Sequence, residues 1–146
     1  MTKIGELGEK LVLEWLKAQQ WSILHHRWRC RWGEIDIIAQ CLTCPTLAFI
    51  EVKTRSSGNW DADGLLAINT QKQLKLIRSA GLFLGEYPNL ALLPCRFDVA
   101  IVSYKKKKCD LNQPIKSDIS LGKPVFWEGY QLTLSQYLEA AFESEL

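Results

Sequence analysis

Gly33-Glu34-Ile35-Asp36-Ile37-Ile38-Ala39-Gln40-Cys41, then Leu42-Thr43-Cys44-Pro45, then Thr46-Leu47-Ala48-Phe49-Ile50-Glu51-Val52-Lys53-Thr54: on this stretch the fold turns. Two β-rich runs flank a four-residue turn. Strand side chains alternate, so Glu34 and Asp36 are expected to point one way and Ile35 and Ile37 the other, while Glu51 and Lys53 share a face. A hairpin through Leu42–Pro45 sets Cys41 against Thr46, and counting back in antiparallel register sets Asp36 opposite Glu51. Facing carboxylates, with β-carbons about 4.5 to 5.5 Å apart, repel unless a proton or a cation intervenes. Their hard oxygens suit Mg²⁺ or Mn²⁺; Mg²⁺ takes one or two carboxylates and keeps waters for chemistry on phosphates. Lys53 lies roughly 7 Å further along the same face, in reach of a water or of charge developing on a phosphate. The same alternation also fits a half-exposed strand on which Glu51 and Lys53 form a solvated pair.

Working outward, Ile4, Leu7, Leu11, Val12, Trp15 and Leu16 share a broad arc at helical spacing, so the first twenty residues read as a helix. Glu9 sits at the edge of that arc, where a solvated charge is not expected. Trp21–Cys30 reads as a first strand, making a three-strand meander with 34–41 and 46–54. Residues 55–69 read as a mobile loop placed to cover a site at the end of the third strand. Thr70 and Gln73 have the form of a capping box opening a helix that runs towards Tyr87-Pro88, with Leu74, Ile77 and Leu84 inward. A fourth strand is expected over Cys95–Tyr104, and a polar loop containing Lys105-Lys106-Lys107-Lys108 after it. Val125–Gln131 reads as a strand, and Thr133 with Gln136 as a second capping box before a terminal helix ending near Glu145.

The 146 residues, 47% of them apolar, suit one compact domain, 1–146, with a core over 2–104 and a variable loop and C-terminal element over 105–146. No apolar run approaches the roughly 18 to 20 residues needed to span a bilayer and no signal peptide is evident, which points to the cytoplasm and away from membrane partners. Five cysteines without a secretory signal read as reduced thiols. A formal charge of +2 decides nothing about nucleic acid, because binding depends on where basic groups cluster. The sequence leaves the oligomeric state open, a homodimer included.

Lys72, Lys75 and Ser79, with Arg78 beside them, form a helical stripe that suits a phosphate backbone or is an ordinary solvated face. Cys41 and Cys44 form a CxxC which, with Cys30, would make a three-thiolate zinc site, or is simply a turn. His25 and His26 face opposite sides of their strand. Trp28, Trp32 and Trp60 suit base stacking, but core packing explains tryptophan more often. Asp98 is read as an internal ion pair with Arg96. Asp61 and Asp63 lack the other ligands of a calcium loop.

Gly5-Glu6-Leu7-Gly8-Glu9, Gly33 to Ala39, Phe49 to Arg55 and Arg96-Phe97-Asp98-Val99 follow the order and approximate spacing of the YraN-like family of bacterial proteins, which this sequence resembles over roughly residues 4–104. That family in turn looks like the Holliday-junction resolvase branch of the PD-(D/E)xK nucleases. The resemblance implies an α/β, restriction-endonuclease-like core: a central mixed sheet with an antiparallel meander flanked by helices. It also implies Asp36 and Glu51 as metal ligands, with Lys53 and Glu9 completing a catalytic set, and branched or structured DNA as substrate. Gln73 is followed four residues later by Ile77, so the glutamine-tyrosine motif of the recombination exonucleases is absent, which favours an endonuclease-like relative. The tail after Tyr104 matches the family poorly. The alternative is a nucleic-acid-binding or protein-interaction module on the same fold without turnover.

Overall fold

The computed structural model describes residues 1–57, 68–107 and 119–143. Helix α1 spans Lys3–Ala18, strands β1 Trp21–Cys30, β2 Gly33–Cys41 and β3 Leu47–Ser56, helix α2 Thr70–Glu86, and strands β4 Cys95–Lys106, β5 Pro124–Trp127 and β6 Tyr130–Phe142. The six strands form one mixed sheet in the order β1-β2-β3-β4-β6-β5. β3 and β4 run parallel and every other neighbouring pair antiparallel. The parallel pair needs a crossover, and α2 lies in that connection. Among the described residues no helix is long and apolar enough to cross a membrane.

The apolar alternation of β3 assigns the two faces. Ala48 and Ile50 pack with Leu11, Val12 and Leu16 of α1, whereas Leu47 and Phe49 pack with Leu76, Ala80 and Phe83 of α2. The α1 side also takes Trp127, Leu132 and Leu134, so the chain beyond Tyr104 contributes to that core. α1 is capped by Thr2, whose side chain accepts the Gly5 N–H at 3.1 Å. Gly8 lets it lie close to the sheet, because a methyl there would overlap Thr54 Oγ1.

Four expectations are corrected. Asn69, not Thr70, caps α2, its side chain accepting the Lys72 N–H at 2.9 Å, and Gln73 reaches back only to the Ile68 carbonyl. Leu74 is exposed; Leu76, Ser79, Ala80 and Phe83 are the buried residues of α2, with Ile77 and Leu84 partly covered. Among the described residues no helix follows Thr133: β6 runs through it, hydrogen-bonded between β4 and β5. The strand expected over 125–131 is broken by a two-residue hairpin turn in which Glu128 (φ 47°) and Gly129 (φ 87°) both take left-handed backbone, the geometry that matches strand twist. The expected loop falls mostly on 58–67, with Trp60, Asp61 and Asp63, and Lys108, Cys109 and the chain end at 144–146 also lie outside the described residues.

Candidate active site

The hairpin register is the one the loop length dictates. β2 and β3 pair through Gln40↔Leu47, Ala39↔Ala48, Ile38↔Phe49 and Ile37↔Ile50, a series whose next step is Asp36 with Glu51. The backbone ladder ends there. Asp36 instead uses its carboxylate across the gap, Oδ2 accepting the Val52 N–H at 2.8 Å.

The alternation breaks at the same point. Ile35 packs on the α2 side and Ile37 on the α1 side, so the two isoleucines do not share a face as their spacing predicts. On β1 the pairs His26↔Ile37 and Trp28↔Ile35 bracket Arg27, whose φ of 58° is left-handed. A non-glycine residue in that conformation is uncommon and costs free energy that its surroundings must offset. It lets neighbouring side chains turn the same way: His26 Nε2 and Arg27 Nε both meet Glu9 Oε1, at 3.0 and 3.4 Å.

Glu9, 3% exposed on α1, is therefore a buried carboxylate with cationic or hydrogen-bonding partners. Carboxylate oxygens of Glu9, Glu34 and Asp36 lie within 4.8 Å of one another. Asp36 is pushed up to about 8, first by burial and then by the charge of Glu51, against the pull of the Val52 hydrogen bond; Glu9 raises it further. Such a proton is held because neighbouring acids cannot all be ionised in one place. Glu51, 6% exposed, has two ammonium partners, Lys72 Nζ at 2.8 Å and Lys53 Nζ at 3.5 Å from its Oε1. It is not a solvated pair. Burial and then Lys72 press the Lys53 ammonium below its ordinary range. Burial also works against Lys72, but its hydrogen bond to Glu51 and its other polar contacts prevail and hold it above the usual lysine value.

The structure thus brings Glu9, Asp36, Glu51 and Lys53 together. The donor set of the acids is all carboxylate oxygen, crowded and largely withdrawn from water, a chemistry that a hard divalent cation such as Mg²⁺ or Mn²⁺ would suit. Glu34, His26 and Arg27 join the site without having been expected there. For Glu34 the signal was available, two residues before Asp36; for Arg27 it was not, because nothing in the text marks its backbone.

The α2 stripe divides. Lys72 is drawn into the acids, Lys75 is exposed, Ser79 is buried, accepting from Cys30 Sγ at 3.2 Å, and Arg78 lies over the Trp32 ring at 4.7 Å. A cavity of about 350 Å³, lined by Trp32, Glu34, Asn69, Lys72 and Lys75 among others, opens beside the acids. Trp28 packs edge-on against Phe83, as a core residue. His25 turns to Phe83 and Tyr87, away from His26. Cys41 Sγ and Cys44 Sγ lie 2.6 Å apart, but Cys30 pairs with Gly33 at the far end of the ladder from Cys41. These three thiols do not converge, so the zinc site expected of Cys30, Cys41 and Cys44 does not form. Asp98 has its ion pair with Arg96, at 3.1 Å.

The model of the uncharacterised protein family UPF0102 matches residues 8–102, the region of the YraN-like motifs. A UPF0102 protein of Acaryochloris marina is 47% identical to this chain, covering 96% of it and 90% of its own length. One of Trichodesmium erythraeum is 46% identical over 94% of this chain and 87% of its own, and one of Synechocystis 45% over 97% and 99%. The family model stops short of the tail. These relatives do not, and the segment after Tyr104 is shared with them.

Proposed function

We propose that this chain, which belongs to the uncharacterised protein family UPF0102, is a metal-dependent endonuclease of PD-(D/E)xK type hydrolysing phosphodiester bonds of DNA. One observation carries the reading: the carboxyls of Asp36 and Glu51 meet at the point where the β2–β3 ladder ends, with Glu9 buried beside them and Lys53 at 3.5 Å from Glu51. An α/β sheet with an antiparallel meander, a crossover helix and a parallel fourth strand supports the restriction-endonuclease-like core that the sequence resembles.

Asp36 and Glu51 would hold Mg²⁺ or Mn²⁺, which supplies a nucleophilic water and neutralises charge on the phosphate. Lys53 orients that water or meets the charge that develops on the phosphoryl oxygens, an interaction stronger in the transition state than in the ground state. Glu9, fixed by His26 and Arg27, completes the acid cluster from α1. Lys75 and Arg78, with Lys72, present positive charge beside the cavity, suited to a phosphate backbone. Branched or otherwise structured DNA is the substrate class the resemblance favours.

The test is an assay on duplex, single-stranded, flap and four-way-junction DNA with Mg²⁺ or Mn²⁺, alongside Glu51→Ala. Cleavage by the wild type that the variant loses supports the proposal. Binding of these DNAs with no cleavage of any would make the chain a recognition module instead.

A further inference from the structure

We propose that Lys72 is a tethered counter-ion, occupying Glu51 until a divalent cation displaces it, so that α2 moderates metal occupancy; this rests on the metal-dependent reading above. Glu51 Oε1 is contacted by two ammonium groups, and they differ in what holds them. Lys53 is two residues along the same strand. Lys72 reaches across from the first turn of α2 on a four-carbon stem, makes the shorter contact at 2.8 Å, and its side chain is 37% exposed.

A buried carboxylate without compensation is costly, and Glu51 has a side-chain exposure of only 7%. Lys72 is thus more than a passing surface pair. An ammonium in contact with Oε1 and a divalent ion on the same carboxylate would repel one another at close range, so one must leave. Lys72 is equipped to do so, because its backbone N–H is fixed by Asn69 Oδ1 while its side chain already lines the cavity shared with Trp32 and Lys75. Swung into that cavity, the charge faces the side from which a phosphate would arrive.

The experiment is Mn²⁺ binding to the full chain by titration calorimetry, comparing wild type, Lys72→Met, Lys72→Arg and Asp36→Asn. Loss of the tethered charge should tighten Mn²⁺ by roughly two- to fivefold, the size of a partly exposed ion pair. Lys72→Arg should stay near the wild type, and Asp36→Asn should lose most binding. Lys72→Gln substitutes if the Met variant does not fold. Wild-type binding that Lys72→Met and Lys72→Gln leave unchanged or weaken overturns the inference and spares the metal site. Binding by the Met variant alone supports both. No binding by wild type or by a folded Lys72 variant overturns both together.

Discussion

Asp36 Oδ2 accepts the Val52 N–H at 2.8 Å, one step beyond the last backbone pair of β2 and β3, Ile37 with Ile50. A side chain finishes what the ladder leaves off, and the carboxyl is at once a strut between strands and an acid among acids. Its two tasks pull apart with pH. The Val52 bond favours the ionised form, whereas burial, Glu51 and Glu9 favour the proton and prevail, raising it to about 8.

From this follows a stability profile for the metal-free protein. A group whose folded value lies above its unfolded 3.8 contributes stability fully present below the unfolded value and lost as pH rises through about 8. Thermal midpoints in chelator should therefore fall between pH 5 and 9 for the wild type, with a shallower decline for Asp36→Asn. Above pH 8 the Asn variant should be the more stable. At free Mn²⁺ a hundredfold above its dissociation constant the wild type should gain about 2.7 kcal/mol, most of which the variant forgoes. Parallel pH profiles, or equal Mn²⁺ shifts, would remove the acidic site from the account.

What the text of the sequence revealed here is the register. A four-residue turn and a period of two leave one antiparallel solution, and Gln40↔Leu47 through Ile37↔Ile50 realises it. What it hid is the break in that period, since a left-handed Arg27 owes its conformation to tertiary partners. The contact of Lys72 with Glu51 was equally hidden, because it joins elements 21 residues apart along the chain. The hairpin at Glu128-Gly129 carries only part of a signal: two apolar-aromatic runs flank a dipeptide ending in glycine, without the Asn or Asp that usually precedes it, and Leu132 and Leu134, alternating with Thr133 and Ser135, continue a strand.

Lys53→Ala should separate chemistry from affinity. The lysine lies 3.5 Å from Glu51 with 23% of its side chain exposed, and its proposed work is at the reacting phosphate. The loss in kcat should exceed the loss in DNA affinity by about a hundredfold or more, as for other groups that stabilise transition-state charge. Single-turnover cleavage and equilibrium binding, measured on the same DNA, check it. Equal losses would make Lys53 a backbone contact.

Gly8→Ala should disturb the site from a distance. The added methyl overlaps Thr54 Oγ1, so either the Thr54 side chain turns away or α1 lifts from β3 and carries Glu9 with it, one residue on. Overpacking of this kind costs about 1 to 3 kcal/mol. Pairing it with Thr54→Ala removes the oxygen and should restore part of the stability, which a double-mutant cycle by denaturant unfolding would measure. Strict additivity would show that the two do not meet.

Tyr137→Phe tests the strand that replaced the expected helix. Asp98 on β4 has a fully buried side chain that takes Arg96 Nε at 3.1 Å, Tyr137 Oη at 2.6 Å and the Ala140 N–H at 2.9 Å. Two of these partners lie on β6, where Ala140 is held at a φ of 48°, so the carboxylate fixes the far end of that strand. Burial and the charge of Asp98 hold the Tyr137 hydroxyl far above its ordinary value. A tyrosine raised in this way contributes stability that persists below the unfolded value of 10.0 and is lost only at higher pH. Removing a donor to a buried charge should cost about 1.5 to 3 kcal/mol, a fall of roughly 3 to 12 °C in midpoint at this chain length. That deficit should be constant from pH 6 to 9, because the raised Tyr137 hydroxyl keeps its proton throughout that range. The Mn²⁺-induced shift should match the wild type's, since the acids of the candidate site are untouched. A deficit under 0.5 kcal/mol would mean that β6 is held by its ladder alone, and a lost Mn²⁺ shift would mean that the Asp98 cluster supports the site as well as the strand.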